Sequence, residues 1–147
     1  GTKEVIVDAL KAKQEIELSI APYLKEYGDE RNIYLSFRLR NAEDKVISSD
    51  SLLFTCHKFF NFKIPELTFE VEERGDDFIV LVTSNTYAKA VGIVTKTIDC
   101  VLEDNYFDLL PGETKEVTID EVIGKAQTVE TIKGDIAIHA VNTLKYS

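Results

Sequence analysis

Apolar and polar residues alternate along most of this chain, and this period of two constrains the fold more than any other feature. In residues 67–72, for example, Leu67, Phe69 and Val71 alternate with polar side chains. Successive side chains of a strand point to opposite faces, so the pattern predicts strands with one face on a core and one in water. Residues 78–82, FIVLV, are apolar throughout and predict a central strand. The sequence therefore predicts an all-β protein.

Turn-forming residues separate the predicted strands at short intervals. Residues 41–45 and 74–77 carry the Asn, Asp and Gly that tight connections need, and they are predicted to close hairpins. One short helix is predicted at residues 22–28, with Pro at its start and Gly at its end. An irregular link is predicted at residues 122–132. The predicted strands lie at residues 4–10, 16–20, 33–40, 46–54, 67–72, 78–82, 90–97, 115–119 and 135–143.

Residues 58–67 divide the chain into two parts. Pro65 lacks an N–H for a strand ladder, so this segment is predicted to be an extended linker. Residues 66–147 are expected to hold some seven short strands, the number in one immunoglobulin-like sandwich, and five of these have the bounds given above. The residues before the linker hold only four, including residues 33–40, whose Phe37 and Leu39 are predicted to face a core.

This division gives two predicted domains. Residues 63–147 are predicted to form a complete immunoglobulin-like β-sandwich. Residues 1–62 are predicted to be the incomplete C-terminal part of a preceding β-sandwich. An incomplete sandwich leaves apolar faces and strand edges exposed, so a homo-oligomer formed through residues 1–62 is also expected.

Residues 103–113, EDNYFDLLPGE, carry turn residues on both sides of an apolar run. Asp104 and Asn105 are predicted to close one turn through their own side chains, and Pro111 and Gly112 a second. Four side chains between these turns are predicted to enter a core: Tyr106, Phe107, Leu109 and Leu110. The segment is therefore expected to be a corner of the sandwich and not an active site.

The charge of the chain limits its partners. The 17 basic and 26 acidic residues give a formal net charge of -9, which repels phosphate backbones and acidic membrane surfaces. Neither nucleic acid nor a membrane is an expected partner. The chain begins with Gly1 and contains no Met, so its first residue is expected to be a processing or cloning boundary, with any export signal upstream.

The residues that usually carry chemistry are few. Cys56 and Cys100 do not have metal-ligand spacing and are predicted to be free and buried. His57 and His139 are the only histidines, which argues against a zinc site or a proton relay. We assign no catalytic, cofactor-binding or metal-binding residue, and we expect no cofactor.

Two groups of side chains leave an alternative open. The densest group of side-chain oxygens is predicted to form turns, with a cation site as the alternative; its members are Asp99, Glu103, Asp104, Asn105 and Asp108. A group of rings is predicted to pack, with sugar contact as the alternative; its members are Phe59, Phe60, Phe62, Tyr23, Tyr27 and Tyr34. The chain has no Trp, which weakens the sugar alternative.

Residues 104–113, a DN-aromatic-F-DLLPGE stretch, resemble the C-terminal immunoglobulin-like module of β-mannosidases of glycoside hydrolase family two. TFEVEERGDDFIVLVTSNTYAKAVGI is similar to the opening strands of that module, and RNIYLSFRLRNAEDKVISSDSLLF to the end of the sandwich before it. The resemblance implies a parent enzyme that hydrolyses terminal β-D-mannosyl residues with retention, on a catalytic barrel outside this chain. It also favours an extracytoplasmic location.

We therefore predict a non-catalytic accessory region that contacts upstream domains of the same polypeptide. Related parents, a β-glucosaminidase or a β-galactosidase, remain alternatives because their modules carry similar stretches. A carbohydrate-binding module with weak oligosaccharide affinity is the alternative function. A cell-surface adhesion repeat is less favoured because the chain has no internal repeat.

Overall fold

A computed structural model describes residues 1–6, 13–14, 16–123 and 128–143. Strands dominate these residues, which confirms the all-β prediction. Two single 3₁₀ turns lie at His57–Phe59 and Val141–Thr143. The helices and strands, in chain order, are α1 (Ala21–Tyr27), β1 (Tyr34–Arg40), β2 (Val46–Leu53), β3 (Leu67–Arg74), β4 (Asp77–Ser84), β5 (Ala88–Thr95), β6 (Asp99–Leu102), β7 (Phe107–Leu109), β8 (Thr114–Ile123), α2 (Val129–Asp135) and β9 (Ile136–His139).

The chain divides into two compact units, residues 1–34 with 53–60 and residues 35–52 with 61–147. The first unit contains the predicted helix, α1, which ends where the Gly28 N–H donates to the Leu24 carbonyl oxygen at 2.9 Å. Gly28 has a φ of 92°, a conformation that favours glycine. The predicted domain boundary between residues 62 and 63 stays a prediction.

The first two predicted strands have different outcomes. Residues 16–19 have no regular structure, so the strand predicted at 16–20 is wrong. An alternating pattern specifies a strand only where another strand supplies its hydrogen bonds, and none pairs with these residues in the described part of the chain. The strand predicted at 4–10 is not seen at 4–6, and residues 7–10 lie outside the described residues.

Strands β1 and β2 form a two-stranded sheet, as predicted. Asn41 closes the turn because its Oδ1 accepts hydrogen bonds from the N–H groups of Glu43 at 3.1 Å and Lys45 at 2.9 Å. The prediction that Phe37 and Leu39 face a core is wrong, since these side chains are 52% and 47% exposed. A two-stranded sheet buries a face only where a second layer covers it.

The other seven strands of the described residues form two antiparallel sheets. One has the order β3-β4-β8-β6 and the other the order β7-β5-β9. Four and three strands are the numbers found in the constant-type immunoglobulin sandwich. The predicted hairpin at residues 74–77 joins β3 to β4, with Gly75 at φ 70° in the turn and Arg74 opposite Asp77.

Strand β4 is an interior strand, as its apolar sequence predicts. It pairs with β3 on one side and β8 on the other, and its Val80 and Val82 are fully buried. The side chains of both sheets and of α2 meet in one core. Its buried members are Val71, Val80, Val82, Ala88, Val91, Ile93, Leu109, Val117, Ile119, Ile132, Ile136 and Ala140.

Helix α2 replaces part of the irregular link predicted at residues 122–132. Thr128 begins it with a capping box: the Thr131 N–H donates to the Thr128 hydroxyl at 3.3 Å, and the Thr128 N–H donates to the Thr131 hydroxyl at 2.8 Å. Ile132 then enters the core. Residues 122 and 123 continue β8, and residues 124–127 lie outside the described residues.

Asp135, at the end of α2, fixes the turn between β5 and β6. Its carboxylate accepts hydrogen bonds from the N–H groups of Lys96 at 2.9 Å, Thr97 at 3.0 Å and Ile98 at 2.9 Å, and from the Thr97 hydroxyl at 2.6 Å. The Thr97 hydroxyl and these backbone donors lower the pKa of Asp135 to about 2. The ionised carboxylate therefore holds three consecutive backbone donors.

Helices α1 and α2 are each seven residues long. In the parts of the chain that the structure describes, no helix combines the length and the apolar character needed to cross a bilayer.

Candidate functional site

The segment 103–113 forms a corner, as predicted, with strand β7 between two changes of direction. Leu109 is fully buried. The second turn closes where the Glu113 N–H donates to the Leu110 carbonyl oxygen at 3.0 Å. Gly112 has a φ of 75° at the third turn position and follows Pro111, which matches a type II turn.

Asn105 reaches a neighbouring strand instead of only closing a local turn. Its Oδ1 accepts the Ile93 N–H at 2.8 Å, and its Nδ2 donates to the Ile93 carbonyl oxygen at 3.0 Å. The Tyr106 N–H also donates to Asn105 Oδ1, at 3.0 Å. Asp104 pairs with Lys115 at 3.0 Å. Asn105 thus acts as a short extension of the sheet beside β5.

Tyr106 does not enter the core, so that part of the sequence prediction is wrong. The side chain is 65% exposed, and its backbone has a φ of 62°. Such a value is rare for a bulky residue, and here the hydrogen bonds of the preceding Asn105 side chain to Ile93 and to the Tyr106 N–H fix the chain. The ring lies beside Gly92: a Cβ on Gly92 would be 3.2 Å from Tyr106 Cε1.

Asp108 is the centre of a half-buried polar cluster. Its carboxylate accepts hydrogen bonds from the Ser51 hydroxyl, from Tyr87 OH at 3.0 Å, from Lys89 Nζ at 2.7 Å and from the Ala90 N–H at 2.9 Å. Burial would raise the pKa of Asp108, but these donors outweigh it and hold the pKa below its usual value. The carboxylate is therefore ionised, and its hydrogen-bonding positions are filled by these four donors.

The Ala90 contact explains an irregularity in β5. Ala90 has a φ of 48°, and the pairing of β5 with β7 shifts register between Ala88 and Val91. The extra residue of such a bulge leaves its N–H without a ladder partner. Asp108 supplies that partner.

A groove of about 300 Å³, which we call the β7 groove, lies between β7 and the β1–β2 hairpin, within the unit of residues 35–52 and 61–147. The exposed rings of Phe37 and Tyr106 both line it. Its lining comprises residues 36–38, 49–51 and 104–108 together with Lys89, Leu110, Glu113 and Lys115.

The β7 groove is lined by both acidic and basic side chains, most of them in ion pairs. The lining contains three cations and four acids, a net charge of 3 − 4 = −1. The three cations form the ion pairs Arg38–Glu113 at 2.6 Å, Lys89–Asp108 at 2.7 Å and Lys115–Asp104 at 3.0 Å. The groove is therefore rich in hydrogen-bonding groups but carries little net charge.

The structure disperses the acids that the sequence grouped as a turn or cation cluster. Asp99 begins β6, Asp104 pairs with Lys115, and Asp108 holds the polar cluster. Among the described residues, no group of three or more His, Cys, Asp or Glu side chains could hold a metal ion.

The cysteines are free, as predicted, but the prediction that they are buried is wrong for Cys56 and only partly met by Cys100. Cys56 is exposed, because it precedes the 3₁₀ turn at His57–Phe59 and does not lie on a strand. Cys100 is half-buried in β6, and burial raises the pKa of its thiol although a hydrogen bond with Thr95 lowers it. This thiol is therefore protonated at neutral pH.

The rings named from the sequence are not the rings of the groove. Phe62 stacks on Tyr87 with 6.2 Å between ring centroids, which fits the predicted packing role. Phe37 and Tyr106 were assigned to cores instead. Ser51 had no local signal at all, because it meets Asp108 only through the folding of distant strands.

The comparisons with known proteins identify the family. No curated protein matches the chain. A family model of the mannosidase-type Ig-fold domain matches residues 62–143, more than half of the chain. The match covers β3 to β9 and α2, the whole seven-stranded sandwich. The chain therefore belongs to the family of mannosidase-type Ig-fold domains.

Proposed function

We propose that this chain is a non-catalytic accessory region of a glycoside hydrolase family two β-mannosidase. The parent enzyme would hydrolyse terminal β-D-mannosyl residues, and the chain would support its catalytic domain. The observation that carries this proposal is the family match over the whole seven-stranded sandwich. The specific parent reaction rests on the resemblance of residues 104–113.

The chemistry of two well-enclosed acids of the described residues, Asp108 and Asp135, supports a non-catalytic role. A retaining glycosidase needs two carboxyl groups about 5 Å apart, one of them protonated near neutral pH so that it acts as the general acid. The pKa values of Asp108 and Asp135 are both lowered, since hydrogen-bond donors surround each carboxylate. Neither group holds a proton for a leaving group at neutral pH.

The β1–β2 hairpin supports a docking role. Leu39 and Ile47 are large apolar residues that lie at the surface of the described structure, outside the lining of the β7 groove. Large exposed apolar surfaces commonly mark contacts with other domains or subunits. We therefore propose that this region contacts upstream domains of the same polypeptide, or a second copy where those domains are missing.

The proposed function is tested with a chromogenic β-mannoside. The full-length parent is expected to release the chromophore, and the 147-residue chain alone is expected to release it no faster than buffer. A parent whose C-terminal region is deleted is expected to lose thermal stability before it loses its preference for mannosides. Turnover by the isolated chain, or a parent without β-mannosidase activity, would contradict the proposal.

A further inference from the structure

We propose that the β7 groove binds a neutral oligosaccharide, with the Tyr106 ring as its stacking platform. This inference goes beyond the supporting role proposed above and does not require it. It begins from Tyr106, a large ring that is held in the solvent by a rarely populated backbone conformation. Conformations of this kind concentrate at functional sites, where the surrounding structure over-determines them.

The setting of Tyr106 leaves part of its ring accessible. Gly92 has no side chain, which lets the ring approach the backbone of β5. Asn105, the residue before Tyr106, is held in place by two hydrogen bonds between its side chain and the Ile93 backbone. The ring is thus positioned at little further loss of conformational entropy when a ligand stacks on it. Phe37 supplies a second exposed ring in the same groove.

The electrostatics of the β7 groove favour an uncharged ligand. Its three cations are each paired with an acid within 3.0 Å, so no cation is left for a phosphate or a carboxylate ligand. Sugar hydroxyls both donate and accept hydrogen bonds. They can therefore use the charged groups of the two more exposed pairs, Arg38–Glu113 and Lys115–Asp104, at positions that the ion pairs already fix.

The size of the groove favours an oligosaccharide over a protein. A stable protein interface takes about 20–30 residues from each side, whereas 15 residues line this groove. A volume of about 300 Å³ lies at the lower end of the range for small-ligand pockets. One or two sugar rings are the expected occupants.

The test is a titration of the 147-residue chain followed by amide NMR. The probes are four tetrasaccharides at millimolar concentration: β-1,4-mannotetraose, cellotetraose, β-1,4-galactotetraose and chitotetraose. We expect at least one of them to shift the amide signals of Tyr106 and of its neighbours in the groove. No shift with any of the four, or shifts confined to other surfaces, would overturn the proposal.

Variants separate stacking from other contacts. Tyr106→Ala is expected to weaken binding about tenfold, while Tyr106→Phe, which keeps the ring, is expected to bind as the wild type does. Tyr27→Ala is the matched control, because Tyr27 is also exposed, at 61%, but lies outside the groove. Equal binding by wild type and Tyr106→Ala, or equal loss in Tyr106→Phe and Tyr106→Ala, would overturn the role of the ring.

A protein partner would give a different result. If the groove itself is an interface between copies of the chain, the amide signals of its β7 wall, residues 104–108, shift when the protein is concentrated without sugar, and the tetrasaccharides leave them unchanged. That outcome also overturns the proposal. Because the titration uses the chain alone, its result is independent of whether the parent enzyme hydrolyses mannosides.

Discussion

Asn105 holds Ile93 with both ends of its side-chain amide, accepting the Ile93 N–H at 2.8 Å and donating to the Ile93 carbonyl oxygen at 3.0 Å. An amide side chain that exchanges both hydrogen bonds with one residue reproduces the contacts of a neighbouring strand residue. The amide of Asn105 therefore ties the corner directly to the backbone of β5.

Replacing Asn105 is expected to destabilise the sandwich. Asn105→Ala leaves the backbone N–H and carbonyl of the buried Ile93 without these partners, and we expect a loss of about 1–3 kcal/mol in the free energy of unfolding. Urea denaturation followed by circular dichroism measures it. Asp104→Ala is the control, since it removes only an exposed ion pair, which contributes about 0–1 kcal/mol. Equal losses in the two variants would contradict the assigned role of Asn105.

Two residues of the same corner are expected to differ in how much stability is lost when their side chains are truncated to alanine. Leu109→Ala opens a cavity in the core and is expected to cost about 2–5 kcal/mol of folding stability. Tyr106→Ala changes an exposed side chain and is expected to stay within about 0.5 kcal/mol of the wild type. Thermal denaturation distinguishes them. A large loss in Tyr106→Ala would mean that the ring has a packing role.

The stability of the chain is expected to depend on pH through Asp135. The pKa of this carboxyl is about 2 in the folded chain and 3.8 in its unperturbed state. A lowered pKa means that the carboxylate contributes its full stability above about pH 4 and loses that contribution as the pH falls towards 2. We therefore expect urea midpoints to decline over this interval.

A variant assigns that decline to Asp135. Asp135→Asn cannot offer two acceptor oxygens to the N–H groups of residues 96–98, so it is expected to be less stable than the wild type at pH 7. The gap between the two proteins is expected to narrow from about pH 4 to pH 2. A gap that is constant over this range would show that the ionised carboxylate is not the source.

The β1–β2 hairpin is expected to mediate self-association. Its exposed apolar side chains, Ile47 among them, gain from burial against a second copy. Sedimentation velocity is expected to detect dimers that increase with protein concentration, and Ile47→Lys is expected to shift the population to monomers. Val101→Lys, an exposed change on β6, is the matched control. A strictly monomeric wild type at high concentration would contradict this prediction.

The sequence predicts most of the sandwich because the signals for strands and tight turns are local. Residues 67–72 and 78–82 have the right period for β3 and β4, and residues 74–77 have the turn chemistry that joins them. The pattern does not report which strands pair, so residues 16–20 carry the same signal without forming a strand. Helix α2 was missed because two threonines cap it instead of the usual Ser or Thr with Glu.

The candidate site was largely beyond prediction because its contacts are not local. An apolar run between two turns indicates burial, and only the positive φ of Tyr106 turns that ring outward. The meeting of Ser51 with Asp108 joins residues 57 positions apart, and neither residue carries a motif. The side chains that line the β7 groove therefore come together only in the folded chain.

The contact between Ser51 and Asp108 affects where a truncated version of the sandwich should begin. The family match begins at residue 62, yet one hydroxyl that steadies the carboxylate of Asp108 comes from β2, which precedes that point. Trimming a gene to the matched residues would produce a sandwich whose internal salt pair lacks one of its native donors. Truncations of this protein should therefore start before residue 35 if the wall of its groove is to survive.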